Sequence, residues 1–227
     1  MNNYFVILAA GKSKRFDKKI TKQLYNYKNK EIIDHSIEKS IDSKLFKKIV
    51  VVTNNFNHFK NKKYLKTVDI IKGGKERSDS SLKALKYLKR FKPKNVLIHD
   101  AARPDFSIKL LKKLITLLKS NKAVVPFVHS KDTIKYKSKN KFFNLKREKA
   151  FLTQTPQAFR YKELFQLSLT QKNTITDEAT LFINNDRKVK FIKGDNNNNK
   201  ITYKTDVKLN KTYFGIEIGR ASCRERV

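Results

Sequence analysis

Hydrophobic positions along the chain fall into two alternating rhythms. Short, continuous apolar runs occur at Tyr4 to Leu8, "KIVVVTN", "NVLIHDAARP" and "AVVPFV". They have the length of strands and the unbroken apolarity of strands covered on both faces. "VDIIKGG", stopped by paired glycines, and "VKFIKG" read as two more. Between these runs the period lengthens. "KEIIDHSIEKSI" sets Ile32, Ile33, Ser36, Ile37 and Ile41 on one helical stripe, with Asp34 and Glu38 on the polar side. "SDSSLKALKYLKRF" begins with capping residues and carries a Leu82, Leu85, Leu88 stripe, and "SIKLLKKLITLLKS" aligns Ile108, Leu111, Ile115 and Leu118. "YKELFQLSLTQ", "TDEATLFINN" and "TDVKLNKTYF" read as further helices. Alternating strands and helices predict an α/β sandwich with a mostly parallel sheet, whose ligand lies beyond the carboxyl ends of the strands.

One segment breaks the rhythm. "HSKDTIKYKSKNKFFNLKREKAF" alternates polar and apolar residues, which predicts a hairpin-like arm over roughly residues 130–150 that leaves the main body and calls for a partner. "GDNNNNK" reads either as a loop lining a site or as a linker. Residues 1–214 form one domain on this reading. Residues 215–227 form an atypical tail whose "GRASCRERV" lacks the lysine-rich texture before it and reads as foreign or as a truncated junction.

Charge changes the picture in one respect. The chain has 227 residues, with 53 Lys and Arg against 20 Asp and Glu, a formal charge of +33, so a basic nucleic-acid-binding protein is a competing reading. The lysines are spread over nearly every segment, however, and no zinc-finger arrangement or aromatic RNA-binding motif accompanies them, which favours a generally basic surface with no specific nucleic-acid partner. A single cysteine, Cys223, excludes an internal disulfide framework. Without a signal-peptide pattern or a run near the ~20 apolar residues of a membrane span, the expected setting is cytoplasmic.

"VILAAGKSKRF" contains the string "GKS", yet Val6 stands where a phosphate-binding P-loop needs its upstream glycine, and Gly11 lacks the partners of a dinucleotide fingerprint. What remains is a strand exit made of Ala9, Ala10 and Gly11, small enough for a phosphate or base to approach the backbone, followed by Lys12, Lys14, Arg15 and Lys22. Asp100, at the end of an apolar strand, is placed either to bind a divalent cation or to cap the following turn.

"LAAGKSKRF...TKQ", "GGKERSDSSLKAL", "VLIHDAARP", "DTIK", "TQTPQAF", "TDEA" and "NKIT" occur in the order and approximate spacing of one enzyme family. The set, covering about residues 4 to 213, resembles the bacterial 2-C-methyl-D-erythritol 4-phosphate cytidylyltransferases of the nonmevalonate isoprenoid pathway. The resemblance implies a Rossmann-like three-layer nucleotidyltransferase fold with a protruding β-arm. It also implies transfer of the cytidylyl group of CTP to the sugar phosphate, with Mg2+ and release of pyrophosphate. It puts Arg15, Lys22 and Lys200 on the triphosphate as catalytic cations. Ala9, Ala10, Gly11, Gly73, Gly74, Arg77, Ser80 and Asp100 fall around the nucleotide, and Thr133, Arg147, Thr176 and Asp177 around the acceptor. Arg147 would arrive from a second subunit of a homodimer. Thr176 doubles as a candidate helix cap, and Arg103 either faces the site or pairs structurally. For the metal, Asp100 has an expected acidic companion near "NKIT", but the matching position reads as Asn197, with Asp195 two residues earlier; coordination by Asn197, by Asp195, or by Asp100 and CTP alone all stay open. A ribitol 5-phosphate or related polyol-phosphate cytidylyltransferase is the alternative within the same chemistry, and the tail lacks the Asp-x-His segment of the cyclase to which some relatives are fused.

Overall fold

The computed structural model describes residues 2–17, 20–59, 62–171 and 175–207. In chain order the elements are β1 (Asn3–Leu8), β2 (Asn26–Tyr27), β3 (Lys30–Glu31), α1 (Ile32–Asp42), β4 (Lys48–Thr53), α2 (Phe56–Phe59), β5 (Val68–Lys72), α3 (Arg77–Leu88), β6 (Asn95–Asp100), α4 (Ile108–Leu117) and β7 (Ala123–Val128). There follow β8 (Ile134–Ser138), β9 (Lys141–Leu145), β10 (Leu152–Thr153), β11 (Gln157–Arg160), α5 (Tyr161–Thr170), α6 (Ala179–Ile183) and β12 (Lys190–Lys193). The central sheet runs β10-β7-β11-β6-β1-β4-β5, with β12 also paired to β7. Pairs β1·β4, β1·β6, β4·β5 and β7·β12 are parallel, whereas β11 runs antiparallel to both β6 and β7 and β10 antiparallel to β7.

Period-two alternation along β1 builds both faces of this sheet. Tyr4, Val6 and Leu8 join Leu85 and Leu88 of α3, Leu164 of α5 and Phe182 of α6 in one core. Phe5 and Ile7 join Ile33 and Ile37 of α1 and Leu110, Leu111 and Leu114 of α4 in the other. Helices therefore cover both faces, giving the three layers, and the continuous apolar runs follow from that double burial.

The residues depart from the sequence reading at several places, among them α3, which starts at Arg77 with Glu76 as its N-cap and not within "SDSS". Asp34 is not on a solvent face: it is 9% exposed and accepts from Tyr64 Oη and Lys62 Nζ, both at 2.9 Å. The buried stripe of α4 is centred on Leu110, Leu111 and Leu114, with Ile108 and Ile115 only half-buried. The strand β11 lies unannounced in "TQTPQAF", because a four-residue strand shows only Ala158 and Phe159 as apolar, one for each core. Residues 204–207 begin the expected last helix; the rest of that helix and the tail lie outside the described residues.

The β8–β9 hairpin is the predicted arm. It forms its own two-stranded sheet, and Tyr136, Phe142, Phe143 and Leu145 are 51, 71, 44 and 39% exposed. Within the body, Leu85 is fully buried between α3 and the sheet, so Leu85→Ala should cost about 2–5 kcal/mol through lost transfer energy and the residual cavity. Urea denaturation of the two proteins, with an unchanged slope, would measure it.

Candidate active site

β1 and β6 are adjacent and parallel, so their carboxyl ends deliver Leu8 and Asp100 side by side. A cavity of about 520 Å³ opens there, within the range of small-molecule sites. Of the residues expected around a nucleotide, Ala10, Gly11, Arg15, Lys22, Gly74, Arg77, Ser80, Asp100 and Lys200 line it. Lys12, Lys14 and Lys75 join them, against two carboxylates, Glu76 and Asp100, so the cavity suits an anion.

"GKS" opens a turn at residues 14–16 and no helix, which removes the geometry of a P-loop. The loop is held instead by Gln23, a residue the sequence marked only as part of a motif. Its Nε2 donates to the Gly11 carbonyl at 3.3 Å, and its Oε1 accepts from Ser13 Oγ at 3.0 Å, while Ser13 Oγ accepts from the Lys22 N–H at 3.2 Å. Ser13 adopts φ 54°, a left-handed conformation uncommon for serine that this network sustains.

The second wall is the turn before α3. An added Cβ on Gly73 would lie 2.2 Å from Ala10 Cβ, so Gly73 serves by letting two loops touch, and it does not line the cavity. Ala9 likewise stays behind the cavity, 4% exposed, its N–H donating to the Val52 carbonyl at 2.8 Å. Gly74 donates its N–H to Ser80 Oγ at 2.9 Å, which fixes the turn.

Asp100 joins the walls. Its Oδ1 accepts from Arg77 Nε at 3.0 Å and its Oδ2 from Lys200 Nζ at 2.7 Å. Burial alone would raise its pKa; the charges of Arg77 and Lys200 overcome that and hold the carboxyl well below the usual carboxylate range. Arg77 also makes a two-pronged pair with Glu178 at 2.8 and 3.0 Å, and Glu178 is 1% exposed. Within "TDEA" nothing local marks Glu178 as the partner of an arginine 101 residues away. Arg77 is thus a strut between α3, β6 and the start of α6, as well as a cavity residue.

Lys22 reaches across to donate to the Ile201 carbonyl at 2.8 Å, while the Ile201 N–H donates to Ala102 at 2.9 Å, so the Lys200 loop is tied to both walls. Burial, then the charge of Lys200, lowers the Lys22 ammonium to about 8, against the attraction of Asp100.

The remaining candidates lie elsewhere. The Asp195 carboxylate bonds within its own turn, Oδ1 accepting the Asn197 N–H at 3.0 Å, while its main chain pairs with the Gln154 side-chain amide; neither Asp195 nor Asn197 lines the cavity. Among the described residues no three His, Cys, Asp or Glu side chains converge as a metal cage, and Asp195 is not among the residues lining the cavity with Asp100. Thr133 and Arg147 are exposed on and beside the arm, Arg147 Nη1 donating to the Lys131 carbonyl at 3.0 Å. Thr176 is exposed, and the capping role falls to Asp177, whose Oδ1 accepts from the Thr180 N–H at 3.1 Å while Oδ2 accepts from Thr153 and Gln157. Arg103 points away from solvent, its Nη1 and Nη2 donating to the Asn198 and Thr153 carbonyls at 2.8 and 3.3 Å.

Residues 4–215 match the family model described as 2-C-methyl-D-erythritol 4-phosphate cytidylyltransferase. The chain belongs to that family. A bifunctional enzyme IspD/IspF from Pelagibacter ubique is 48% identical over 218 residues, 95% of this chain, and the chain spans 59% of that protein's length. The 2-C-methyl-D-erythritol 4-phosphate cytidylyltransferase of Dictyoglomus thermophilum is 37% identical, covering 89% of this chain and 92% of that one. Among solved structures, the 4-diphosphocytidyl-2C-methyl-D-erythritol synthase of Anaerococcus prevotii superposes with a TM-score of 0.81 at 27% identity, covering 93 and 95% of the two chains. The cationic cavity in this member of the family is built from β1, α3, β6 and the Lys200 loop.

Two measurements probe this construction. Lys22 should favour a bound polyanion only while protonated, so tripolyphosphate affinity should weaken as pH rises through about 8; calorimetry should find that weakening much reduced in Lys22→Arg. The same depressed pKa means the unfolded chain binds this proton more tightly. The Lys22 charge therefore opposes folding fully below pH 8 and less up to about 10.5. Glu178→Ala strands Arg77 beside a single carboxylate and should lower unfolding free energy by about 3–5 kcal/mol in the same urea assay.

Proposed function

We propose that the chain transfers the cytidylyl group of CTP to 2-C-methyl-D-erythritol 4-phosphate, giving 4-diphosphocytidyl-2-C-methyl-D-erythritol and pyrophosphate. The observation that carries the reading is the convergence of Arg15, Lys22 and Lys200 on one cavity at the carboxyl ends of β1 and β6, in a chain of this family. An oxygen of the acceptor phosphate attacks the α-phosphorus of CTP, and the bond to the bridging oxygen of the β-phosphate breaks, releasing pyrophosphate. The nucleophile is already an anion, so the demand on the protein is to bring two anions together and offset the charge gathering at phosphorus. Lys22 and Lys200 meet that demand from positions fixed by Ile201 and Asp100, and Arg15 from the loop held by Gln23. Ala10, Gly11, Gly74 and Ser80 form the small-residue side of the cavity, on which the base rests with few side chains to displace.

A divalent ion such as Mg2+ fits this donor set only if phosphate oxygens complete it: Asp100 would hold the ion, and the ion would offset triphosphate charge. Asp195 and Asn197 would contribute only after their loop rearranged.

The acceptor end belongs to a homodimer in this proposal. The exposed aromatic hairpin has no partner strand among the described residues, and Arg147 and Thr133 do not line this chain's own cavity. A second copy would cover the aromatic face and receive Arg147, a guanidinium suited to phosphate, across its cavity beside Thr176 and Asp177. The single cysteine suits a reducing cytoplasm, and the wide spread of lysine argues against a specific nucleic-acid partner.

Pyrophosphate release with CTP and Mg2+ should be faster with methylerythritol phosphate than with ribitol 5-phosphate, and the reverse order would move the assignment to a polyol-phosphate enzyme. Arg15→Ala should lower kcat at least ~100-fold. Mixing Lys22→Met with Arg147→Ala chains should recover turnover if the arm acts across the dimer, since one site then combines an intact cavity with an intact arm. No recovery would place Arg147 in its own chain's site or outside catalysis.

A further inference from the structure

Beneath the Asp100 turn runs a chain of hydrogen bonds that the cavity does not reveal. The Asp100 N–H donates to Thr155 Oγ at 3.0 Å. Thr155 Oγ lies 3.1 Å from His99 Nδ1, and His99 Nε2 lies 3.1 Å from the Arg103 carbonyl and 3.2 Å from Ser36 Oγ. Thr155 is 4% exposed and His99 is fully buried, its ring between Phe5 and Phe106 at centroid distances of 5.6 and 4.5 Å.

Elementary chemistry fixes the directions. A carbonyl only accepts, so the proton of the ring sits on Nε2 and points at Arg103. Nδ1 is then an acceptor and takes the Thr155 hydroxyl proton, leaving the Thr155 oxygen to receive the Asp100 N–H. With the proton on Nε2, Ser36 Oγ at 3.2 Å is a second acceptor of the same N–H. The Arg103 N–H closes the turn by donating to the Asp100 carbonyl at 3.0 Å.

We propose that Thr155 and His99 are positioning residues for the transfer reaction, acting through Asp100; this rests on the function proposed above. The Asp100 carboxylate is drawn by Arg77 from one wall and by Lys200 from the other, so the location of both cations depends on where its main chain is anchored. Thr155 supplies that anchor from the bend between β10 and β11, and His99 orients the hydroxyl while fixing the far end of the turn. Loosening the anchor lets Asp100 and Lys200 drift together, and displacements near 1 Å at a reacting centre cost up to ~100-fold in rate.

Thr155→Val removes the hydroxyl at nearly constant volume, and Thr155→Ser restores it. Steady-state kinetics with CTP and methylerythritol phosphate should give Thr155→Val a kcat lower by ~10–100-fold with KM for CTP within ~3-fold, and Thr155→Ser a kcat within ~3-fold of the parent. His99→Asn, which keeps an acceptor toward Thr155, should exceed His99→Gln, which keeps a donor toward Arg103. Nitrogen-15 NMR of the parent, with His99 assigned by difference, should find the proton on Nε2. Parental kcat in folded Thr155→Val, equal losses in the Ser and Val variants, or a proton on Nδ1 would each overturn the proposal. If Thr155→Val does not fold, the Ser variant and the parent's spectrum still decide. Failure of the parent to form product would sink the functional reading instead, with the ring spectrum still deciding the hydrogen-bond chain.

Discussion

Much of the site hangs on one carboxylate with a cation on each oxygen. Asp100 stands at the end of β6, and the Arg77 and Lys200 contacts at 3.0 and 2.7 Å draw α3 and the 199–202 loop toward the central strands. Burying such charges costs free energy that their attraction does little more than offset, so the network is better understood as fixing positions than as a source of stability. Glu178 completes it from beneath. Without that second carboxylate, Arg77 would carry charge into a poorly hydrated wall beside a single partner.

The same arrangement explains how a cavity rich in cations persists. Lys22, Lys200 and Arg15 repel one another, and the depressed Lys22 pKa records its burial first and that repulsion second. The Ile201 carbonyl holds Lys22 and Asp100 holds Lys200, leaving net positive charge that the proposed triphosphate would neutralise. Preorganisation of this kind is what a reaction between two anions requires, because little covalent help is needed once charge is offset.

The arm follows a different logic. A lone two-stranded hairpin is marginal in water, and one presenting Phe142 at 71% exposure carries an apolar face that nothing in the described chain covers. In the proposed dimer, the contact that hides this face is also the contact that completes the acceptor site, which links assembly to activity.

The alternation of apolar runs and stripes determined the three-layer sheet, because strands buried on both faces must be continuously apolar and their helices must each show one apolar side. The strand exits that carry Asp100 and the small residues Ala10 and Gly11 were legible for the same reason. Tertiary structure alone decided the rest. β11 inserts antiparallel between β6 and β7 with only two apolar residues to announce it, and that insertion brings Thr155 under Asp100. Gly73 turned out to serve loop contact with Ala10 and Glu178 to hold Arg77, since a contact between residues 63 or 101 positions apart leaves no local pattern. Local sequence sets which surface a segment must bury; which charge meets which is settled only when the distant segments close on one another.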